Sequence, residues 1–379
     1  MYKHMKVAVT GGPCAGKTTA MQKIVEEFTE KGYKVFVVSE TATELINGGA
    51  KPFGDNPIDL LEFQRYVLEM QLNKEKLFEK IAENTQQDTI ILCDRGIMDN
   101  RAYINNKQFR QLLKEFELNE MEIMSSYDLV LHLVTAADGA EEYYTTANNT
   151  ARTETPEQAR ALDKKTLNSW IGHENLSIIT NNGNFDDKLH SVIRAIYETL
   201  DVPYPIQTQY KYIVEEVDRE KLAECLPVKL ELEQLFTNGN DNENTMVRKT
   251  TKDGDSTYSS TTKRETDKPS ERITTSRRIT KRDYNELLSQ TEDKPIHKVR
   301  YCFTHNKQYY RLDLFEEPKG LMILETGLTN ENSIVEIPSF IKVKKEITED
   351  LEYRNANIYR QINKKAVDAP LVKQKTNKQ

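Results

Sequence analysis

The chain has 379 residues, of which 37% are hydrophobic and 30% are charged, and its formal net charge at pH 7 is −7. A chain of this length exceeds most single hydrophobic cores, so we expect two domains. The negative charge argues against bulk nucleic-acid binding by the whole chain, and no apolar run approaches the roughly 20 residues that a transmembrane helix needs.

The cysteines and the N-terminal residues indicate the compartment. The cysteines show neither a CxxC pair nor zinc-ligand spacing, which suits a reducing cytoplasm, and we assign them no metal. Residues 1–5 lead directly into a β-rich run and leave no room for a signal peptide. We therefore expect a soluble cytoplasmic protein. The four cysteines are Cys14, Cys93, Cys225 and Cys302.

The first predicted strand, at residues 6–10, is followed by a stretch that fits the phosphate-loop pattern GxxxxGK[ST] without a mismatch. Helical spacing follows over residues 19–31. In this order, backbone N–H groups and a helix N-terminus surround phosphate oxygens. We expect Lys17 to reach the β and γ phosphates of ATP or GTP, and the Thr18 hydroxyl to hold Mg²⁺. The predicted nucleotide-binding residues of this loop are Gly11, Gly12, Pro13, Cys14, Ala15, Gly16, Lys17, Thr18 and Thr19.

Polar side chains follow two further predicted strands, where α/β folds present groups to ligands. Glu40 follows the strand at residues 34–38 and is placed to contact a substrate. The apolar run at residues 89–93 is typical of a buried parallel strand, and it ends in Asp94 and Arg95. An acid at this place usually orients Mg²⁺ or its waters, and Arg95 would steady a phosphoryl group. An ordinary capped strand end is the alternative.

A polar segment at residues 135–165 follows the strand predicted at residues 127–134, and a helix is expected to begin within it, near residue 155. A mobile lid fits this position. Arg152 and Arg160 would then close over the γ-phosphate, where cationic donors stabilise the transition state. Solvated surface positions are an equally good interpretation of both arginines.

A strand at residues 176–181 and a helix at residues 186–200 complete an alternating pattern of strands and helices. That pattern predicts a parallel sheet covered on both faces. Asn181, just past a strand end, is expected to contact the base. The Asn-Lys-x-Asp pattern with which GTPases bind guanine is missing from the strand ends, so the sequence does not choose between ATP and GTP.

The phosphate loop and Glu40 occur together with Phe63-Gln64, with Asp94-Arg95-Gly96, and with the stretch that begins at residues 151–155 and ends at residues 170–173. This set resembles the AAA_28 (NadR and Ttd14-like) ATPase domain, with deoxynucleoside kinases and nicotinamide riboside kinase as more distant relatives. The resemblance implies that Glu40 serves as a general base or binds the substrate hydroxyl.

A proline-punctuated connection at residues 201–205 separates helical from alternating periodicity. We therefore predict domains at residues 1–202 and 205–360 and a disordered polar tail at residues 361–379. Many strands with few helices predict an antiparallel sheet or barrel in the second domain. The expected strands lie at residues 207–214, 228–236, 245–251, 256–264, 272–280, 297–304, 309–315 and 321–327.

The second domain carries a strongly basic segment, because residues 246–282 contain eleven Lys and Arg against five acids. A barrel would gather such residues inside, where they would bind clustered phosphates through charge-assisted hydrogen bonds. The alternative for the Ser/Thr-rich residues 250–271 is a solvated, partly flexible loop. The predicted anion-binding residues are Lys211, Arg248, Arg272, Lys298, Arg300 and Arg311.

Several landmarks of this half carry a second resemblance: Lys298-x-Arg300, Arg311-x-Asp313, residues 320–325, and residues 346–355. Together they resemble the CYTH or triphosphate-tunnel fold of thiamine triphosphatases, inorganic triphosphatases and class IV adenylyl cyclases. Where that family has its opening ExExK signature, this chain has Gln207-x-Gln209-x-Lys211. Divalent metals need anionic oxygen ligands, so the metal site is depleted and an anion-binding tunnel is favoured over a hydrolytic one.

The two resemblances together indicate a Ttd14-like architecture, an α/β P-loop domain followed by an α+β domain with an antiparallel barrel. We expect a Mg²⁺-dependent ATP- or GTP-binding protein, a slow NTPase or kinase-like phosphotransferase. Its second domain would bind a phosphorylated small molecule, polyphosphate or a phospholipid head group. Two alternatives stay open. One is a nucleotide-switched phospholipid-binding protein with peripheral membrane contact, which the Ttd14 resemblance implies, and the other is a tunnel-type triphosphatase.

Overall fold

The computed structural model describes residues 3–144, 155–200, 209–238, 243–265, 272–327 and 335–363. Their strands form two separate sheets, of five and of nine strands. The predicted domain boundary at residues 201–205 and all but the first three residues of the predicted tail lie outside these ranges. Within them, no helix is long and apolar enough to cross a membrane.

The first sheet has the strand order β2-β3-β1-β4-β5, and every neighbouring pair is parallel, as the alternating pattern predicted. Its strands are β1 (His4–Gly11), β2 (Lys34–Val38), β3 (Thr89–Asp94), β4 (Leu129–Leu133) and β5 (Leu176–Ile179). The helices around it are α1 (Lys17–Glu30), α2 (Thr41–Asn47), α3 (Leu60–Glu83), α4 (Asn106–Glu115), α5 (Glu120–Ser125), α6 (Pro156–Trp170) and α7 (Phe185–Thr199), with 3₁₀ turns at Ile97–Ala102 and Glu141–Tyr143.

Helices cover both faces of this sheet, because side chains that alternate along β1 enter different cores. Val7 packs with Ile24 of α1 and Val192 of α7. Ala8, on the opposite face, packs in a second core with Leu68 of α3. Strands that are buried on both faces appear in the sequence as continuous apolar runs. The apolar runs therefore predicted the positions of these strands.

The second sheet is antiparallel throughout, with the order β10-β9-β8-β7-β11-β12-β13-β6-β14. Three of its elements, α9, β14 and α10, were not expected from the sequence. The strands are β6 (Gln209–Val217), β7 (Val228–Asn238), β8 (Glu243–Lys252), β9 (Asp255–Glu265), β10 (Arg272–Arg278), β11 (Ile296–His305), β12 (Gln308–Phe315), β13 (Met322–Gly327) and β14 (Ile341–Glu346). The helices are α8 (Arg219–Glu224), α9 (Lys281–Ser289) and α10 (Asn355–Ile362), with a 3₁₀ turn at Leu351–Tyr353.

The loop interpretation of residues 250–271 is wrong for residues 250–265, which belong to the β8-β9 hairpin. Threonine is a good strand former because its branched side chain packs well on a pleated surface. Hydroxyl pairs also cross the hairpin, at 2.9 Å between Thr245 and Thr262 and 2.8 Å between Thr251 and Ser256. Residues 266–271 lie outside the described ranges.

The two sheets are joined by a shared hydrophobic core rather than by a polar contact alone. Leu230 and Cys302 of the second sheet are buried in the same cluster as Trp170 of the first domain. Gly172 sits so close that a Cβ added to it would lie 3.0 Å from Val228. The first domain therefore covers part of the face of the second sheet that carries Leu230 and Cys302.

Candidate functional site

The phosphate loop runs from the end of β1 to the first turn of α1. Gly11 has φ +140°, and a Cβ at this position would lie 2.1 Å from the carbonyl oxygen of Leu133, so only glycine fits. Gly16 is the N-cap of α1 and has no side chain with which to cap it. An anion is therefore a suitable partner for the first-turn N–H groups, which carry the positive end of the helix dipole.

Asp163 on α6 holds the beginning of this loop. Its Oδ1 accepts hydrogen bonds from the backbone N–H of Gly12 at 2.6 Å and of Thr135 at 3.2 Å. Its Oδ2 lies 3.3 Å from His132 Nε2. Burial alone would raise the pKa of Asp163, but His132 and the two amides outweigh it and lower the pKa. The sequence placed Asp163 in a polar run, and no local motif marks this role.

Replacing Asp163 with Ala should remove the acceptor from two buried N–H groups. We expect a loss of about 2–4 kcal/mol in the free energy of unfolding and about tenfold weaker nucleotide binding. Asp163→Asn keeps an oxygen at the same place, so both losses should be smaller. Thermal denaturation and nucleotide titration of the two variants check this, and equal behaviour of Ala and Asn would contradict it.

Glu40 and Arg95 form an ion pair beside the phosphate loop. Arg95 also donates through Nη1 to the carbonyl oxygen of Gly11 at 3.3 Å. Burial favours the protonated form of Glu40, but the charges of Arg95 and Lys17 outweigh it and lower its pKa to about 2. Glu40 is therefore ionised and a weak base, and it also accepts a hydrogen bond from Thr43 at 2.7 Å.

Asp94 ends β3 at the same edge of the sheet. Its Oδ1 is buried and has no hydrogen-bond partner within the described part of the chain. Burial raises the pKa of Asp94, and Lys17 acts in the opposite direction. A carboxylate oxygen without a partner, beside a phosphate loop, suits a ligand of Mg²⁺ or of its waters. Thr18, the other expected Mg²⁺ ligand, is exposed on the first turn of α1. Among the described residues no group of three or more His, Cys, Asp or Glu is placed to hold a metal.

Arg160 and Asn181 brace the segment after β4. Arg160 Nη1 donates to the carbonyl oxygen of Ala137 at 2.6 Å. Asn181 donates to two carbonyl oxygens of the same segment at 2.8 Å, and its Oδ1 accepts from Lys188 Nζ at 2.6 Å. The lid role of Arg160 and the base contact of Asn181 stay predictions, and Arg152 lies outside the described residues.

A buried ion cluster lies on the face of the second sheet that also carries Leu230, the strand partner of Arg300. Asp313 accepts two hydrogen bonds from Arg300, at 2.6 and 2.8 Å, and a third from Lys298 at 2.6 Å. Lys298 and Asp313 have side chains no more than 1% exposed. Strand pairing sets Arg300 opposite Asp313 across the β11-β12 ladder, so the register of the sheet decides this contact.

Glu325 extends the cluster along β13. Its carboxylate lies 2.7 Å from Lys211, and 3.5 Å from both Arg300 and Arg311. Burial would raise the pKa of Glu325, but the four surrounding cations hold it well below its usual range. Two carboxylates therefore face four cations, which leaves the cluster with an excess of positive charge. Four of the six predicted anion-binding residues, Lys211, Lys298, Arg300 and Arg311, are brought together here, and Asp313 and Glu325 partly neutralise them.

The remaining predicted anion-binding residues are Arg248 and Arg272. Arg248 on β8 forms an ion pair with Glu174, which belongs to the first domain. Arg272 begins the edge strand β10, and its side chain is outside the described part. Gln207 is also outside it, and Gln209 begins β6.

Comparison with known proteins gives one family match. Residues 6–188 match the AAA_28 family, described as an AAA domain, and no curated protein matches the chain. The similar solved structures include two with low TM-scores. The inorganic triphosphatase NE1496 has 21% sequence identity and a TM-score of 0.29, covering 41% of this chain and 97% of its own. A structure titled hypothetical protein NE1496 has 22% identity and a TM-score of 0.28, covering 40% and 97%.

Proposed function

We propose, because residues 6–188 match the AAA_28 family, that the chain is a Mg²⁺-dependent ATP- or GTP-binding protein acting as a slow NTPase or kinase-like phosphotransferase. The observation that carries this proposal is the convergence of Lys17, Glu40, Asp94 and Arg95 at one edge of the parallel sheet. Lys17 is close enough to shift the pKa of both acids. Such edges are where open α/β sheets bind ligands.

Each residue of this group has a distinct proposed role. Lys17 would neutralise the β and γ phosphates, while Thr18 and Asp94 would hold Mg²⁺, which would supply positive charge against that of the phosphates. Arg95 is held by Glu40 and by the carbonyl oxygen of Gly11. A guanidinium fixed in this way is preorganised to stabilise charge on a transferring phosphoryl group.

Glu40 is the proposed contact for a substrate hydroxyl. A carboxylate with a pKa of about 2 is a poor proton acceptor at neutral pH, since efficient general bases have pKa values near the working pH. This supports Glu40 as a hydrogen-bond acceptor that orients the hydroxyl. Labelled ATP incubated with a metabolite pool tests transfer directly: a labelled product supports phosphotransfer, and inorganic phosphate alone supports an NTPase.

The proposed role of the second domain is to bind a phosphorylated anion without hydrolysing it. The excess positive charge around Arg300 and Arg311 supports anion binding. Asp313 and Glu325 are both engaged by cationic side chains, so they are not arranged as a carboxylate set for divalent metal. The same site suits a free polyphosphate and a phospholipid head group.

Replacing Asp94 with Asn should remove the dependence on Mg²⁺. The neutral amide keeps the shape of the side chain but is a much weaker ligand for a hard cation. We expect nucleotide binding in EDTA to match wild type, the increase on adding Mg²⁺ to disappear, and turnover to fall about 100-fold. Calorimetric titration with and without Mg²⁺, together with phosphate release, measures these quantities.

Asp88→Asn is the matched control for this experiment. Asp88 immediately precedes the first residue of β3, at the end of the strand opposite to Asp94. It accepts a hydrogen bond from the backbone N–H of Lys3 at 2.8 Å. It should retain the full response to Mg²⁺. A wild-type Mg²⁺ response in Asp94→Asn would exclude Asp94 as the metal-orienting residue.

A further inference from the structure

Glu174 of the first domain reaches the basic cluster of the second. Its carboxylate pairs with Arg248, and its main-chain oxygen accepts a hydrogen bond from Arg311 Nη1 at 3.1 Å. The side chain of Arg248 is 11% exposed, whereas that of Glu174 is 54% exposed. Glu174 therefore contacts two arginines of the second domain's sheet, Arg248 through its carboxylate and Arg311 through its main-chain oxygen.

The residues on either side of Glu174 are held from both domains. His173 Nε2 lies 2.9 Å from the carbonyl oxygen of Tyr127, and the side chain of Asn175 donates through Nδ2 to the carbonyl oxygen of Asp128 at 2.9 Å. The carbonyl oxygen of Asn175 also accepts a hydrogen bond from the backbone N–H of Val130 at 3.0 Å. From the other side, Tyr309 donates its hydroxyl to the carbonyl oxygen of His173 at 3.0 Å. The backbone is thus anchored on either side of Glu174, and the carboxylate is the part that can swing away without breaking these bonds.

The electrostatic surroundings of this carboxylate are those of an anion site. The charge of Arg248 has the largest effect and, with Arg300 and Arg311, lowers the pKa of Glu174 to about 2 despite opposition from desolvation. Phosphate oxygens form the same charge-assisted bonds with guanidinium groups, and often bidentate ones. A half-exposed single ion pair is weak, so a ligand with several phosphate charges can replace it.

We propose that the Glu174 carboxylate is an internal occupant of the second domain's anion site, displaced when a phosphate-bearing ligand binds. The site is then composite, because the first domain supplies both a fixed carbonyl oxygen and a movable competing carboxylate. This inference rests on the proposed anion binding by the second domain. It adds that the first domain lowers the affinity of that site and selects ligands with enough charge to displace a carboxylate.

The test compares full-length wild type with Glu174→Gln and Glu174→Asp. Inorganic tripolyphosphate is titrated by calorimetry, and vesicles of phosphatidylcholine containing phosphatidic acid are used in a sedimentation assay. Glu174→Gln should bind about fivefold more tightly, as expected for removing one half-exposed competing ion pair. Glu174→Asp keeps the net charge but shortens the side chain, so it should also bind more tightly. The probe whose affinity rises identifies a free phosphate or a lipid head group.

Asp138→Asn is the matched control. Asp138 also forms an ion pair between the domains, with Lys307 at 2.8 Å, but away from the cluster, so probe affinity should not change. Arg248→Gln should weaken binding, which places the probe at this site. Unchanged affinity in both Glu174 variants, with measurable wild-type binding, would overturn the inference and leave anion binding standing. Failure of wild type and both Glu174 variants to bind either probe would overturn both.

Discussion

Replacing Lys17 with Met is expected to weaken binding of Mg²⁺-ATP and Mg²⁺-GTP about 100-fold and to lower turnover about 100- to 1000-fold. Lys17 is the first residue of α1 and is nearly buried, with its charge acting on both Glu40 and Asp94. A cation preorganised at developing phosphate charge accounts for about 10²–10³ in rate at sites of this kind. Calorimetry with each nucleotide and a phosphate-release assay measure the two losses, and also show which base the protein prefers.

Lys23→Met, on the same helix but outside the loop, serves as the control and should bind nucleotide as wild type does. The Tm of both variants establishes that the fold is kept. If Lys17→Met bound nucleotide within twofold of wild type, the phosphate loop would not be the nucleotide site, and the proposed function of the first domain would fail.

Replacing Asp313 with Asn is expected to lower the free energy of unfolding by about 3–5 kcal/mol. Asp313 is the shared partner of Lys298 and Arg300, whose side chains are 0% and 7% exposed. Without the carboxylate, two buried cations lose their compensating charge. Thermal and urea denaturation followed by circular dichroism measure the loss.

The pH dependence of stability gives an independent check. Burial would raise the pKa of Asp313, but Arg300 and Lys298 lower it in the folded protein. Its contribution is therefore present above the unfolded pKa, near 4, and is lost as the pH falls further. The Asn variant should show a smaller loss of stability on acidification than wild type.

Asp350→Asn provides the matched control, because Asp350 pairs with Lys345 at 2.8 Å on an exposed surface. Its Tm should stay close to that of wild type. Equal Tm values for Asp313→Asn and wild type would mean that the buried cluster does not stabilise the second domain.

Local sequence patterns determined the fold class and the phosphate loop. The loop was recognisable because Gly11, Gly16, Lys17 and the beginning of α1 lie within nine contiguous positions. The five parallel strands were equally clear, because burial on both faces demands continuous apolar runs. Eight of the nine described strands of the second sheet, all except β14, were located by their period of two and by turn residues between them.

The tertiary structure alone decided which charges meet. Gly12 and Asp163 are separated by 151 positions, and Glu174 and Arg248 by 74. No local pattern links such residues, because the register of strands and the docking of two domains bring them together. The basic residues of the second domain could be read from composition. Composition could not show that Asp313, Glu325 and Glu174 neutralise these residues. A carboxylate acts on the charges that surround it in space, and only the tertiary structure determines which charges those are.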